Sequence, residues 1–302
     1  MKTHLQLLTT ILFMGAIAAH AQNRFFDSAA SGTTWDGGTT SNWGTGTGGP
    51  YNATTFGSYN IAQFEGTGAT INSAGVGING ATFAANGYTI QGSTLTLGSP
   101  GGGPALTVNT GISATISAPV GKAGGATNLR KEGAGTLSLT GSTVSVDRMY
   151  VNAGTLDFSG GTMTVSTGDF IVSNTTTAAT YNQAAGTVNY GGNWLAIANN
   201  GVGTYTSTFN LSAGTFNANS SALNMSVRAN ATVNISGTGV LNVGAGLLTG
   251  HSTTTQVRTS TINISGGTMN VTGGNIILSE GNSGTSTVIN QTGGVFNYTG
   301  GG

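Results

Sequence analysis

The chain has 302 residues, of which 53 are glycine, 4 proline and none cysteine, with 5% charged residues and a formal net charge of zero. So little charge leaves no electrostatic footprint for nucleic acid or an anionic membrane, the near-absence of Glu and Lys argues against helix surfaces, and glycine without a three-residue period excludes collagen. A hydrophobic share of 37% is too high for classical disorder, which leaves an extended, turn-rich β protein held by ladder hydrogen bonds and stacked side chains rather than disulfides.

In chain order, residues 1–21 read as a signal peptide: Met1-Lys2 is a short basic start, Leu5 to Ala19 is mostly apolar, and Ala19-His20-Ala21 is an A-x-A cleavage signal. Cleavage is expected after Ala21, giving a secreted or cell-surface protein that starts at Gln22. No later stretch could cross a bilayer as a helix. Residues 22–58 form a Gly/Thr-rich opening with Trp35-Asp36 and Asn42-Trp43 but no period. This aromatic segment is expected to cap a stacked fold, whose end would otherwise expose core and unpaired strand edges. Residues 59–160 hold short strand-like runs such as Tyr59 to Phe64, Leu95-Thr96-Leu97 and Leu137-Ser138-Leu139, which read as less regular turns of the same stack.

From residue 161 to 302 the chain repeats. TYNQAAGTVNY from Thr180 returns as TFNLSAGTFNA from Thr208, VNISGTGVLNV from Val233, INISGGTMNV from Ile262 and INQTGGVFNY from Ile289. The glycines before the second strand, Gly161, Gly186, Gly214, Gly239, Gly267 and Gly294, are 25, 28, 25, 28 and 27 residues apart. Each unit alternates with period two, bends at glycine, alternates again, and closes with an apolar run such as Leu195-Ala196-Ile197. Three short strands in 25–28 residues describe one turn of a right-handed parallel β-helix. Asn182, Asn210, Asn234, Asn263 and Asn290 share one repeat position, and Asn189, Asn217, Asn242, Asn270 and Asn297 another. Their amides are expected to form hydrogen-bonded ladders along the axis, on outward or corner positions. The bend glycines are expected to supply positive φ.

Leu129-Arg130-Lys131-Glu132-Gly133-Ala134-Gly135-Thr136-Leu137-Ser138-Leu139-Thr140-Gly141, followed by Val151-Asn152-Ala153-Gly154-Thr155-Leu156, resembles the autotransporter-associated β-strand repeat, with the motif at 129–156. The spacer between its halves is shorter than usual and lacks the common N-x-Y-T-G bend. The later S-G-G-T-hydrophobic-N-V units resemble repeats of bacterial surface proteins. The resemblance implies a passenger-type β-helix exported to the cell surface, associated with the outer membrane if anchored. Tyr298-Thr299-Gly300-Gly301-Gly302 falls where a further unit is expected to begin, so the sequence reads as a fragment, with a C-terminal translocating barrel or sorting anchor expected beyond it.

Parallel β-helices also host polysaccharide-cleaving enzymes, whose carboxylates must flank the scissile bond at roughly 5–9.5 Å. The best lyase-like or Ca²⁺-binding constellation is Asp147, Asp157 and Asp169 with Arg148, two of the acids being one turn apart. No aspartate follows the Gly-Gly pairs periodically, as calcium-binding nonapeptides require, and His251 has no His or Cys companion in the mature chain. No metal or cofactor is therefore expected, and no residue set is assigned to catalysis. Trp35, Trp43, Trp194, Tyr190 and Tyr205 could stack on sugars, against the alternative of core or cap packing. The sequence thus predicts a non-enzymatic, adhesin-like rod presenting Thr/Asn/Ser faces to glycans or other cells, with a carbohydrate-active or carbohydrate-binding β-helix as the alternative.

Overall fold

A computed structural model describes residues 21–98, 103–124, 127–141, 143–201, 204–250, 256–281 and 284–300. Ala19 and the rest of the predicted signal peptide up to residue 20, and also His251, lie outside the described residues. Every pairing between strands is parallel, and the chain visits three sheets in fixed rotation. The first sheet runs from Asn23–Phe26 through Asn60–Phe64 and Arg148–Val151 to Ile276–Ile277. The second runs from Thr34–Trp35 through Thr136–Leu139 to residues 288–291. The third runs from residues 77–78 through Val120–Lys122 to residues 295–298. The fold is a parallel β-helix. No helix among the described residues is long and apolar enough to cross a membrane.

The alternation seen in the repeats produces this shape. In Asn230–Ile235, Ala231, Val233 and Ile235 are buried while Asn230, Thr232 and Asn234 face outward. Each inward residue stacks on its equivalent one coil away. Phe64 lies on Phe83 with ring centroids 4.9 Å apart and planes 8° from parallel, the spacing that a parallel ladder imposes. Met163, Met225 and Met269 are fully buried and fill the interior. The segment expected only as an irregular cap also contributes strands, because Asn23–Phe26 buries Phe26 and pairs with residues 61–64. Trp35, Trp43 and Phe56 then plug this end. Trp43 lies 4.7 Å from Phe56 and 4.8 Å from Phe26. Both tryptophans are fully buried, so neither is a sugar-stacking platform. Glu65 ties the loop down by accepting from the Gly48 N–H at 2.8 Å and the Tyr51 hydroxyl at 2.9 Å.

Both asparagine ladders form. The Nδ2 of Asn210 donates to Asn182 at 2.7 Å, Asn234 to Asn210 at 2.6 Å, Asn263 to Asn234 at 2.7 Å and Asn290 to Asn263 at 2.9 Å. On the third sheet, Asn217 donates to Asn189 at 3.0 Å, Asn242 to Asn217 at 2.8 Å, Asn270 to Asn242 at 2.7 Å and Asn297 to Asn270 at 2.8 Å. The side chains lie on the outer faces. The ladder steps are 28, 24, 29 and 27 residues, slightly wider than the 25–28 expected. Coils nearer the N-terminus are as short as 19 residues, which is why no period is visible there.

Five of the six marker glycines adopt positive φ at the bend between the second and third sheets: Gly161, Gly186, Gly214, Gly267 and Gly294. Gly239 does not. In its coil the left-handed residue is Gly237, two positions earlier, although a Cβ on Gly239 would still lie 2.5 Å from the Leu211 carbonyl oxygen. A second bend, after the first sheet, escaped the sequence reading because it carries no glycine signature. Ser173, Ala198, Ser226 and Ser279 all hold φ between 52° and 67° there, with Gly250 at the equivalent place. Such backbone costs a non-glycine residue about 1–2 kcal/mol, which the stacked neighbours must offset.

Two substitutions test this framework. Asn234→Ala breaks one ladder in its middle, removing the bonds to Asn210 and from Asn263, and is expected to cost about 1–3 kcal/mol. Gly214→Ala places a Cβ 2.2 Å from the Gly186 carbonyl oxygen and is expected to cost more than Asn234→Ala. Thermal melts of the two variants beside wild type check both the direction and the order.

Candidate functional site

The residues that carry the family resemblance form one corner of two adjacent coils. Lys131 points inward from Asn128–Glu132 and is fully buried. Its ammonium donates to three carbonyls: Glu132 at 2.9 Å, Gly133 at 2.7 Å and Ala153 on the next coil at 3.0 Å. Burial pushes its pKa down to about 8, with Glu132 opposing the shift. The Glu132 carboxylate accepts from the Asn152 amide at 2.6 Å, a second tie between the coils. Gly133 and Gly154 both hold positive φ, and a Cβ on Gly154 would lie 2.4 Å from the Gly135 carbonyl oxygen. Thr136-Leu137 then pairs with Thr155-Leu156. The K-E-G-A-G-T-L and V-N-A-G-T-L halves are thus the same bend stacked on itself. The lysine is a structural bolt.

The three candidate aspartates do not converge. Asp147 follows Val144–Val146 at a corner and is buried. It pairs with the Lys122 ammonium and accepts from the Thr127 N–H at 2.7 Å and the Ser166 hydroxyl at 2.7 Å. Burial works to raise its pKa, but the hydrogen bonds from Lys122, Ser166 and Thr127 outweigh it and hold the carboxyl below its ordinary value. Asp169 immediately precedes Phe170–Val172 and accepts from the Tyr150 hydroxyl at 2.9 Å. Burial and this carboxylate together push the Tyr150 phenol upward. Arg148 begins the neighbouring strand, exposed, with its stem lying across Gly168. Asp157 is elsewhere, on the outer face of the second sheet, and accepts from the Asn182 amide at 2.7 Å. It terminates the asparagine ladder, a role invisible without the register. The lyase-like or calcium constellation is therefore not assembled: each acid serves a separate structural bond. Among the described residues no group of three His, Cys, Asp or Glu side chains could hold a metal ion.

Trp194 is placed differently from the other tryptophans. It is half-buried and, with Tyr150, packs on Ile171, Ala196 and Val227, an apolar patch on the outer face of the first sheet. Its indole N–H donates to Asn199 at 2.9 Å, and the Asn199 amide donates to Asn174 at 2.9 Å. With Asn199, Asn200, Val227 and Arg228 it lines a shallow depression of about 410 Å³. The sequence signal for this patch was available: Phe170–Val172 and Leu195–Ile197 are unbroken apolar runs, buried on both faces, rather than alternating ones. Tyr190 is buried, its hydroxyl accepting from the Trp194 N–H at 2.7 Å. Tyr205 is half-buried and donates to the Thr175 carbonyl at 2.7 Å.

Asp147 gives this site a pH signature. Its carboxyl is held lower in the folded chain than in the unfolded one, so its stabilisation is complete above the unfolded value near pH 4 and is lost as pH falls through the folded value. Asp147→Asn should therefore lower the melting temperature by several degrees at pH 7, and the gap to wild type should close on acidification below about pH 4. A gap that stays constant to pH 3 in thermal melts contradicts this account. Comparison with protein families, curated proteins and solved structures finds no match for this chain.

Proposed function

We propose that this chain is a secreted or cell-surface structural rod, an adhesin-like passenger of the kind built from autotransporter-associated β-strand repeats, exported by residues 1–21. The observation that carries the reading is the deployment of its few charges. Lys131, Asp147, Asp157 and Asp169 each hold coil to coil or strand to strand, and the outer faces of the second and third sheets are given to Thr and Asn columns. A continuous parallel stack of this kind resists bending because each coil is hydrogen-bonded to its neighbours on three sheets. Its work is presentation of a polar surface to glycans or to other cells, with no bond made or broken.

Two measurements test the proposal. The mature N-terminus of protein recovered from the medium or envelope fraction should be Gln22 by mass spectrometry; retention of residues 1–21 on a cytoplasmic product overturns the export reading. Immobilised protein should retain cells or cell-wall glycans without shortening polysaccharide chains. Depolymerisation abolished by Asp147→Asn or Asp169→Asn would replace the rod with an enzyme.

The alternative, a carbohydrate-binding β-helix, is favoured by one observation, the Trp194 depression with its aromatic wall, amides and Arg228. On that reading Trp194→Ala lowers glycan retention at least tenfold, since a ring stacked on a sugar is a dominant contact, while leaving the melting temperature within a few degrees of wild type. Unchanged retention removes the depression as a binding site.

A further inference from the structure

The solenoid interior is apolar along most of its length, but the corner after the first sheet turns polar in the C-terminal coils. The Ser260 hydroxyl donates to Ser226 at 2.8 Å, and Ser226 donates to the Thr259 carbonyl at 3.0 Å. Arg258 sits in this corner. Ser260 pairs with Ala231, so Arg258 takes the place that the fully buried Ala229 holds one coil earlier, and it is itself 1% exposed. Its Nη1 donates to the Val227 carbonyl. Its Nε and Nη2 are buried and have no partner among the described residues.

Those two nitrogens form one edge of the guanidinium. It is the edge that grips two oxygens of a carboxylate, phosphate or sulfate in a planar fork. Guanidinium does not release its proton in proteins, so the charge persists inside the fold. The ion pairs of the described residues, Lys122 with Asp147 and Arg130 with Glu132, do not reach it. Burial and the nearby cation Arg228 both disfavour the charge. On the next coil, the Ser286 N–H donates to the Arg258 carbonyl at 2.9 Å, which places Thr285 at the same corner. The Thr285 hydroxyl is also buried without a partner.

We propose that this corner is a binding site for a small free oxyanion, held in a fork by Nε–H and Nη2–H of Arg258 with the Thr285 hydroxyl as a further donor. The ligand class follows from the donors: two parallel N–H groups, a hydroxyl, and a positive charge that repels cations. With Arg258 1% exposed, the ligand proposed is a small free ion such as phosphate, sulfate or a short carboxylate. The site is separate from the Thr/Asn faces and from the Trp194 depression, and stands whether or not the rod binds glycans.

The test is the melting temperature of the full chain in inorganic phosphate, sulfate or acetate against sodium chloride at matched ionic strength, for wild type, Arg258→Met and Thr285→Val. Phosphate and sulfate stabilise folded proteins generally by exclusion from their surfaces, so the signal is the difference between chains. Wild type should gain several degrees along a saturating curve at millimolar anion. Arg258→Met should show only the shallow unsaturating drift, and Thr285→Val should need several-fold more anion for the same gain. Acetate acting as well as phosphate identifies a carboxylate fork; phosphate and sulfate alone identify a tetrahedral oxyanion. Parallel drifts in wild type and Arg258→Met overturn the proposal, leaving a buried cation with ordered water only. If Arg258→Met does not fold, calorimetric titration of inorganic phosphate into wild type decides: one saturable site per chain supports the assignment, and no saturable heat overturns it.

Discussion

Everything in this molecule depends on hydrogen bonding along the solenoid axis. Each coil satisfies its backbone on the coils before and after it, so no coil has a fold of its own and stability accumulates by stacking. The side chains repeat the arrangement. Inward rings lie over rings, as Phe64 does over Phe83, and outward amides donate in one direction through Asn290, Asn263, Asn234, Asn210 and Asn182. That ladder ends on the Asp157 carboxylate. A chain of amides all pointing the same way polarises its members, and an anion at the donor end is the favourable terminus. The same logic places acids at helix N-termini.

A parallel stack imposes two costs, which explain the composition. Its corners bring backbones into contact, so bends need residues that tolerate positive φ and carry no Cβ, and glycine rises accordingly. Its faces repeat at the strand spacing, so a charge on one coil would meet a like charge on the next. Neutral Thr and Asn can be repeated without that repulsion, and Asn gains a bond each time. Several of the few charges stand where a specific partner holds them: Lys131 under its three carbonyls, Asp147 with Lys122, Asp169 with Tyr150, and Asp157 at the end of an asparagine ladder.

These placements bear on both of the proposed functional readings. A groove enzyme requires its acids on one face and within reach of one bond, whereas here Asp157 is on the second sheet and Asp147 and Asp169 are at the corner before the first. A presenting surface requires a stiff scaffold with repetitive, uncharged faces, and the sheets provide that. The outer face of the first sheet is the exception. Ile171, Ala196 and Val227 make it apolar, and the Trp194 depression lies over it.

The architecture, the outward register of both asparagine columns and the use of glycine at one bend are all legible in the order of residues. These follow from a period of two within strands and of about 27 residues between coils, and both periods are written in residue order. Which residues meet across coils is set by the folded chain. It moved the left-handed position from Gly239 to Gly237, put serine and alanine in left-handed backbone at the other bend, and turned the Lys131 motif into a bolt. It also set Asp157 on a different face from Asp147 and Asp169, which share a corner: coil length varies from 19 residues between Ser138 and Asp157 to 38 between Asn23 and Ile61, and the bends decide which side of the solenoid each residue occupies.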